Sequence, residues 1–344
     1  MNDYHPEENR FHPIPEKHME EYQERRSEVE RSLTFEELKQ EMIAFKEMLH
    51  INAIRVAGHS IEDGLRTAIA AKESGVTPWL SPRFWGATFE ETKEMFAKYV
   101  ERAKVLGLEK QPLIVANELS LDCADDPITG EKGSSDGAER EQQISEKYLR
   151  KGVIIDCTAR VKELVQIARE GGWEGSLTYA ALADESVDWN AIEDPNLIAA
   201  ANLYWGENWN EGGRRMTPQE YEERLLRLKN AAGDRPFVIT EFGSVPQREG
   251  SGGSAFKLEG GLDYEAQAEA YRQYLAVLEK NKVGYFAFAI DEPTKEVDDR
   301  QNKNYGIVLR GKKGSPLKLT PAGEVFAEHN QNYSQNVNGV EVDV

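Results

Sequence analysis

Seven short apolar runs recur along the chain, each followed by a loop and then by a stretch whose apolar residues return at helical spacing. The runs are Ile51–Ala57, Thr77–Ser81, Pro112–Asn117, Gly175–Ala180, Ile198–Tyr204, Pro236–Phe242 and Gly284–Ile290. Strands separated by helices pair in parallel, because the chain must cross back before the next strand starts. The intervening helices declare their beginnings. Thr34/Glu37, Thr88/Glu91 and Thr217/Glu220 have the spacing of capping boxes, and Pro218 and Pro321 each follow a Thr at a first helical position. Apolar faces follow, as in Leu38, Met42, Phe45 and Leu49, or Met95, Phe96, Tyr99 and Ala103.

This alternation predicts an α/β fold, a (β/α)8 TIM barrel over residues 34–344, preceded by a polar arm over 1–33. Seven runs leave one strand to find. The C-terminal stretch 338–344 alternates Val340, Val342 and Val344 with polar residues, and two readings stand. It is the eighth strand, which makes the barrel circularly permuted, or it is a frayed tail. Two long polar loops, Asp122–Glu139 and Pro246–Gly261, follow candidate strands. That places them on the face where a barrel builds its chemistry, as lids or specificity loops.

Composition narrows the functions. With 39% hydrophobic residues among 344, including 12 Phe and 13 Tyr, the chain has the apolar surface for a full-sized core. A formal charge of -19 repels nucleic acid and anionic membrane surfaces alike, so neither is expected as a partner. Cys123 and Cys157 fit no zinc or disulfide framework, the N-terminus lacks the apolar region of a secretory signal, and no run of 18 apolar residues occurs. A cytoplasmic protein without cofactor or metal is expected. His5, His12 and His18 share no helix face, and Asp291, Glu292, Asp298 and Asp299 read as a solvated acidic run. The pattern gives no reading of oligomeric state.

The sharpest chemical signal is a pair of apolar strands that end in carboxylates. Leu113-Ile-Val-Ala-Asn-Glu118 passes abruptly into a polar loop, and Phe237-Val-Ile-Thr-Glu-Phe-Gly243 ends beside a glycine that lets the chain turn away. Glu241 lies three strands after Glu118. Two carboxyl groups facing each other across a sugar divide the work of breaking a glycosidic bond, one donating a proton to the leaving oxygen and the other attacking the anomeric carbon. Trp205 and Trp85, beyond strand ends, are expected to stack on sugar rings, whereas Trp79, within a strand, reads as core. His59 reads equally as a substrate contact or as a structural histidine.

Asn117-Glu118 on the fourth barrel strand and Thr240-Glu241-Phe242-Gly243 on the seventh resemble the paired motifs of clan A glycoside hydrolases. The resemblance implies a retaining mechanism, with Glu118 as acid/base, Glu241 as nucleophile about 5 Å away, and Asn117 on the sugar 2-hydroxyl. It also implies that Tyr204 touches the nucleophile and that Arg55 is the second-strand arginine. The eighth-strand stretch Tyr285–Lys295, followed by Asn304–Val308, is similar to glycoside hydrolase family 17, but without the clan's usual tryptophan. Runs such as Leu177-Thr-Tyr-Ala180 and Glu185-Ser-Val-Asp-Trp189 resemble an uncharacterised bacterial barrel family labelled abortive phage infection protein. Its first-strand Gly-Val-x-Tyr-Asp pattern is similar to Gly339-Val-Glu-Val-Asp343, with Val342 in place of the tyrosine. The expected function is therefore hydrolysis or transfer of a carbohydrate. The rival reading is a non-catalytic carbohydrate-binding or phage-defence interaction protein on a degenerate barrel.

Overall fold

A computed structural model of the protein describes residues 33–57, 60–134, 137–204, 216–244, 263–288, 290–293, 306–310 and 316–337. The N-terminal arm with its three histidines, the C-terminal stretch 338–344, the loop Pro246–Gly261, His59, Trp205, Asp298 and Asp299 lie outside the described residues.

All seven expected strands form, and a helix stands between each and the next except between Leu177–Leu182 and Ala199–Asn202, where the chain passes through the short strand Glu185–Ser186 and a single 3-10 turn, Trp189–Ala191. In chain order they are α1 (Phe35–Leu49), β1 (Ala53–Val56), α2 (Ile61–Glu73), β2 (Thr77–Leu80), α3 (Phe89–Val105) and β3 (Leu113–Asn117). After these come α4 (Leu119–Asp122), α5 (Gly137–Lys147), β4 (Ile155–Asp156), α6 (Thr158–Glu170), β5 (Leu177–Leu182), β6 (Glu185–Ser186) and β7 (Ala199–Asn202). The chain continues through α7 (Pro218–Ala231), β8 (Phe237–Phe242), α8 (Tyr264–Lys280), β9 (Gly284–Ala287), β10 (Asp291–Pro293), β11 (Val308–Arg310), β12 (Lys318–Leu319) and α9 (Pro321–Val337). The main sheet has seven strands in the order β1-β2-β3-β5-β7-β8-β9, and each resolved register from β1 to β7 is parallel. This is the strand order of a (β/α)8 barrel fold, of which the described residues supply seven strands.

The chain divides into two compact units. The first gathers Ala53–Asn202 and Leu228–Val238 with the chain up to Lys39, and the second gathers Gln40–Asn52, Leu203–Arg227 and Ile239 onward.

In the first unit every residue of β3 and β5 is buried, which is why both read as unbroken apolar runs rather than alternating ones. β5 begins two residues later than its apolar run suggests. A Cβ on Gly175 would sit 2.3 Å from the carbonyl oxygen of Gln111, so this glycine serves a close backbone crossing ahead of the strand. α3 opens with a complete capping box, Thr88 accepting from the Glu91 N–H and Glu91 from the Thr88 N–H. The expected boxes at Thr34/Glu37 and Thr217/Glu220 form the same reciprocal pairs.

At the N-terminal ends of the strands, the Arg169 guanidinium takes both oxygens of Asp194, at 2.5 and 2.9 Å, and donates to the carbonyls of Trp173 and Gly175. Arg235 donates to the carbonyls of Ile192 and Asp194 in the same network. The described part of the Asp122–Glu139 loop is likewise pinned by charge. Asp125 pairs with Arg160 at 2.9 Å, and Asp126 accepts from Lys147 at 2.6 Å and from the Tyr148 hydroxyl at 2.8 Å.

The second unit is built around Phe242. Its ring lies 5.4 Å from Tyr271 and 5.8 Å from Tyr274 on α8, and 5.5 Å from Tyr285 on β9. α9 closes this packing through Phe326, 6.0 Å from Tyr285, and through Asn330, whose amide reaches the carbonyl of Leu49 at the end of α1. Among the described residues, no helix is long and apolar enough to cross a membrane.

Candidate active site

Side chains alternate across a strand, so the packing of one residue tells where its neighbour faces. In β8 Phe242 meets the helical tyrosines, which sends Glu241 to the opposite side of the sheet. There the Tyr204 hydroxyl donates to Oε2 of Glu241 at 2.5 Å. Both side chains are buried, and the Phe288 ring sits edge-on to Tyr204 with centroids 6.1 Å apart. The Leu203 N–H donates to the Glu241 carbonyl, so the backbone fixes the stretch that carries Tyr204 to the same residue that its hydroxyl grips. All these groups belong to the second unit.

The first unit holds the other carboxylate. Asn202, which ends β7, donates from Nδ2 to Oε1 of Glu118 at 2.8 Å and to Oδ1 of Asn117 at 3.1 Å. Arg55 on β1 donates from Nη2 to the same Asn117 oxygen at 2.7 Å, and from Nε to the Ser81 hydroxyl at 3.0 Å. Two donors converging on Oδ1 settle which way the Asn117 amide points. Its Nδ2 is buried without a hydrogen-bond partner among the described residues, a donor suited to a ligand hydroxyl.

Glu118 has a left-handed backbone, φ 37° and ψ 58°. For a residue with a Cβ this costs roughly 1–2 kcal/mol, so something must hold it. The bonds around it do. The Glu118 N–H donates to the Ala180 carbonyl, the Glu118 carbonyl accepts from Leu121 and Asp122, and the next two N–H groups end on side chains. Leu119 N–H donates to Tyr179 Oη at 2.7 Å, and Ser120 N–H to Glu185 Oε1 at 2.8 Å. Leu119 and Ser120 are both buried, and leaving their two N–H groups unpaired, at about 1–3 kcal/mol each, would cost more than the strain of one left-handed residue.

Trp85 is the most exposed tryptophan described, at 44%, with the Arg83 guanidinium stacked over its ring at 4.8 Å. Arg83 also pairs with Asp122 at 3.1 Å, which ties the indole to the helix that follows Glu118. Trp79 and Trp189 are buried. Among the described residues, no group of three His, Cys, Asp or Glu side chains is placed to hold a metal ion.

The structure thus brings Arg55, Asn117 and Glu118 together in the first unit and Tyr204 and Glu241 in the second, and links Trp85 through Arg83 and Asp122 to the helix after Glu118. Sequence reading missed Asn202, Ser81, Tyr179 and Glu185. Asn202 carried a signal, being a polar residue that ends a run of alanines. Glu185 stood in a run quoted for a family resemblance, but its local pattern gave it no role, since a carboxylate beyond a strand end is most often solvated.

No family model matches the chain, and no curated protein matches it. Solved structures do. An AHE enzyme from Alicyclobacillus herbarius superposes with a TM-score of 0.56 at 14% identity, covering 87% of each chain. A GH113 beta-1,4-mannanase gives 0.51 at 17% identity over 86% of this chain and 94% of its own. The beta-glycosidase BGL167 gives 0.53 at 13% identity over 87% of this chain and 86% of its own. At such identities the likeness is one of fold, and the fold is the α/β (β/α)8 barrel that this chain has in common with glycoside hydrolases.

Proposed function

We propose that the protein is a retaining glycoside hydrolase or transglycosylase in which Glu241 is the nucleophile and Glu118 the acid/base. One observation carries the reading. Asn202 and Tyr204, two residues apart in the chain, each grip the carboxylate of one strand-end glutamate, Glu118 and Glu241 respectively, through a neutral donor. A neutral donor can orient a carboxyl group that is ionised, as a nucleophile must be, and equally one that carries the proton a general acid gives up.

In the first step a Glu241 oxygen attacks the anomeric carbon and the bond to the glycosidic oxygen breaks, while Glu118 gives that oxygen its proton. In the second, Glu118 takes a proton from water, or from an acceptor sugar, whose oxygen displaces Glu241 from the anomeric carbon. The Asn117 Nδ2 donor is available to the oxygen of the sugar 2-hydroxyl.

The test is a panel of aryl glycosides assayed with Glu241→Ala and Glu118→Ala. Glu241→Ala is expected to abolish turnover, and azide restores it with inversion at the anomeric carbon. Glu118→Ala is expected to slow turnover, with azide restoring it on activated substrates with retention. Wild-type rates in both variants overturn the assignment, and binding without hydrolysis across the panel favours a carbohydrate-binding protein instead.

A further inference from the structure

Buried beneath Glu118 is a polar cluster that the proposed chemistry does not use. Cys157, Tyr179 and Glu185 are all in the core of the first unit. Glu185 belongs to the two-residue strand β6, which pairs in parallel with β4, and the reversal after β5 folds its side chain back against the strand it has just left. Its carboxylate accepts three bonds. Ser120 N–H reaches Oε1 at 2.8 Å, while Leu182 N–H at 2.8 Å and the Tyr179 hydroxyl at 2.5 Å reach Oε2. The Tyr179 oxygen in turn accepts the Leu119 N–H at 2.7 Å.

A carboxylate is an unfavourable group to bury, and burial pushes the Glu185 carboxyl above its ordinary range against the hydrogen bonds it accepts. A buried acid needs a reason, and two of the contacts supply one. The Leu119 and Ser120 N–H groups are those immediately after Glu118, and they end on Tyr179 and Glu185. Acceptors from β5 and β6 therefore hold the first turn after Glu118, and with it the left-handed backbone that aims its side chain.

We propose that Glu185, acting through Tyr179 and the Ser120 N–H, is a positioning residue for the acid/base Glu118. The inference rests on the proposed role of Glu118, and its test separates the two. An amide in place of the Glu185 carboxylate keeps the volume but offers one acceptor oxygen for three donors and turns an N–H toward one of them. Glu185→Gln is therefore expected to release the first turn. Removing only the Tyr179 hydroxyl in Tyr179→Phe frees the Leu119 N–H, and serves as the milder variant should Glu185→Gln fail to fold.

Two readouts decide. Hydrogen exchange at the Leu119 and Ser120 amides is expected to quicken about 100-fold in the variants while the β3 amides keep their protection, as for a local opening. The second readout is kcat/KM on a pair of aryl glycosides with good and poor leaving groups. An acid is needed only when the leaving group is poor, so kcat/KM is expected to fall about 30-fold for a phenyl glycoside and to stay within about threefold for a dinitrophenyl glycoside. A merely structural residue lowers both alike. Unchanged exchange, or equal loss on both substrates, overturns the proposal. Quickened exchange in a protein whose Glu118→Ala variant shows no leaving-group dependence overturns the role of Glu118 instead.

Discussion

Tyr204 donates its hydroxyl to Oε2 of Glu241, and the ring that carries this hydroxyl is itself fixed edge-on against Phe288. A phenol so placed orients the carboxyl group. Tyr204→Phe keeps the ring contact and removes only the donor. The expected result is a fall of about 10–100-fold in kcat on aryl glycosides, the scale of one lost hydrogen bond to a charged group. Wild-type kcat in this variant would mean that Glu241 is held by other means.

Asn202 has a double duty, since one Nδ2 serves both Asn117 and Glu118. Asn202→Ala strips a donor from the buried Asn117 oxygen and from the half-buried Glu118 carboxyl at once and leaves a small cavity, so a stability loss of about 1–3 kcal/mol is expected in denaturant titration. Activity is expected to fall further than stability explains. A variant that is destabilised yet fully active when folded would separate Asn202 from the chemistry.

The central strands β3, β5, β7 and β8 were legible because strands buried on both faces write continuous apolar runs, and Glu118 and Glu241 stood out because each interrupts such a run at its end. Tyr204 could be paired with Glu241 through a family resemblance, although they stand 37 residues apart. Glu185 was invisible for the opposite reason. Its meaning depends on a reversal after β5 that folds it back beneath Glu118, and nothing in local periodicity encodes a contact that spans 65 residues. Gly175 misled the start of β5, because a glycine before an apolar run reads as strand until the chain it crosses is known.

Asp194 supplies a test of stability away from the proposed chemistry. Burial raises its carboxyl, but the hydrogen bonds from Arg169 and the Asn196 N–H, with the charges of Arg169 and Arg235, outweigh that and hold it below the ordinary carboxylate range. A carboxylate depressed on folding contributes stability above its unfolded value, and that contribution is lost as pH falls through the folded value. Asp194→Ala leaves the Arg169 guanidinium without its partner, so a loss of about 3 kcal/mol is expected at pH 7. Thermal melts should show the gap between variant and wild type narrowing as the solution is taken below the ordinary carboxylate range. A gap independent of pH would mean that packing around Asp194, and not its charge, is what the substitution removes.

Trp85 separates binding from chemistry. Its indole is 44% exposed, stacked on Arg83, and joined through Asp122 to the helix that begins after Glu118. A sugar presents apolar C–H faces that a partly exposed aromatic ring can cover, and such stacking acts equally on bound substrate and transition state. Trp85→Ala is accordingly expected to raise KM about 5–50-fold on oligosaccharide substrates with kcat kept, the signature of uniform binding. The effect should shrink on a small aryl glycoside too short to reach the ring. Losing half its stacked surface to solvent already, the site should tolerate the substitution with little change in melting temperature. A drop in kcat without a change in KM would place Trp85 among the groups that shape the transition state, and equal KM on long and short substrates would remove it from the substrate path.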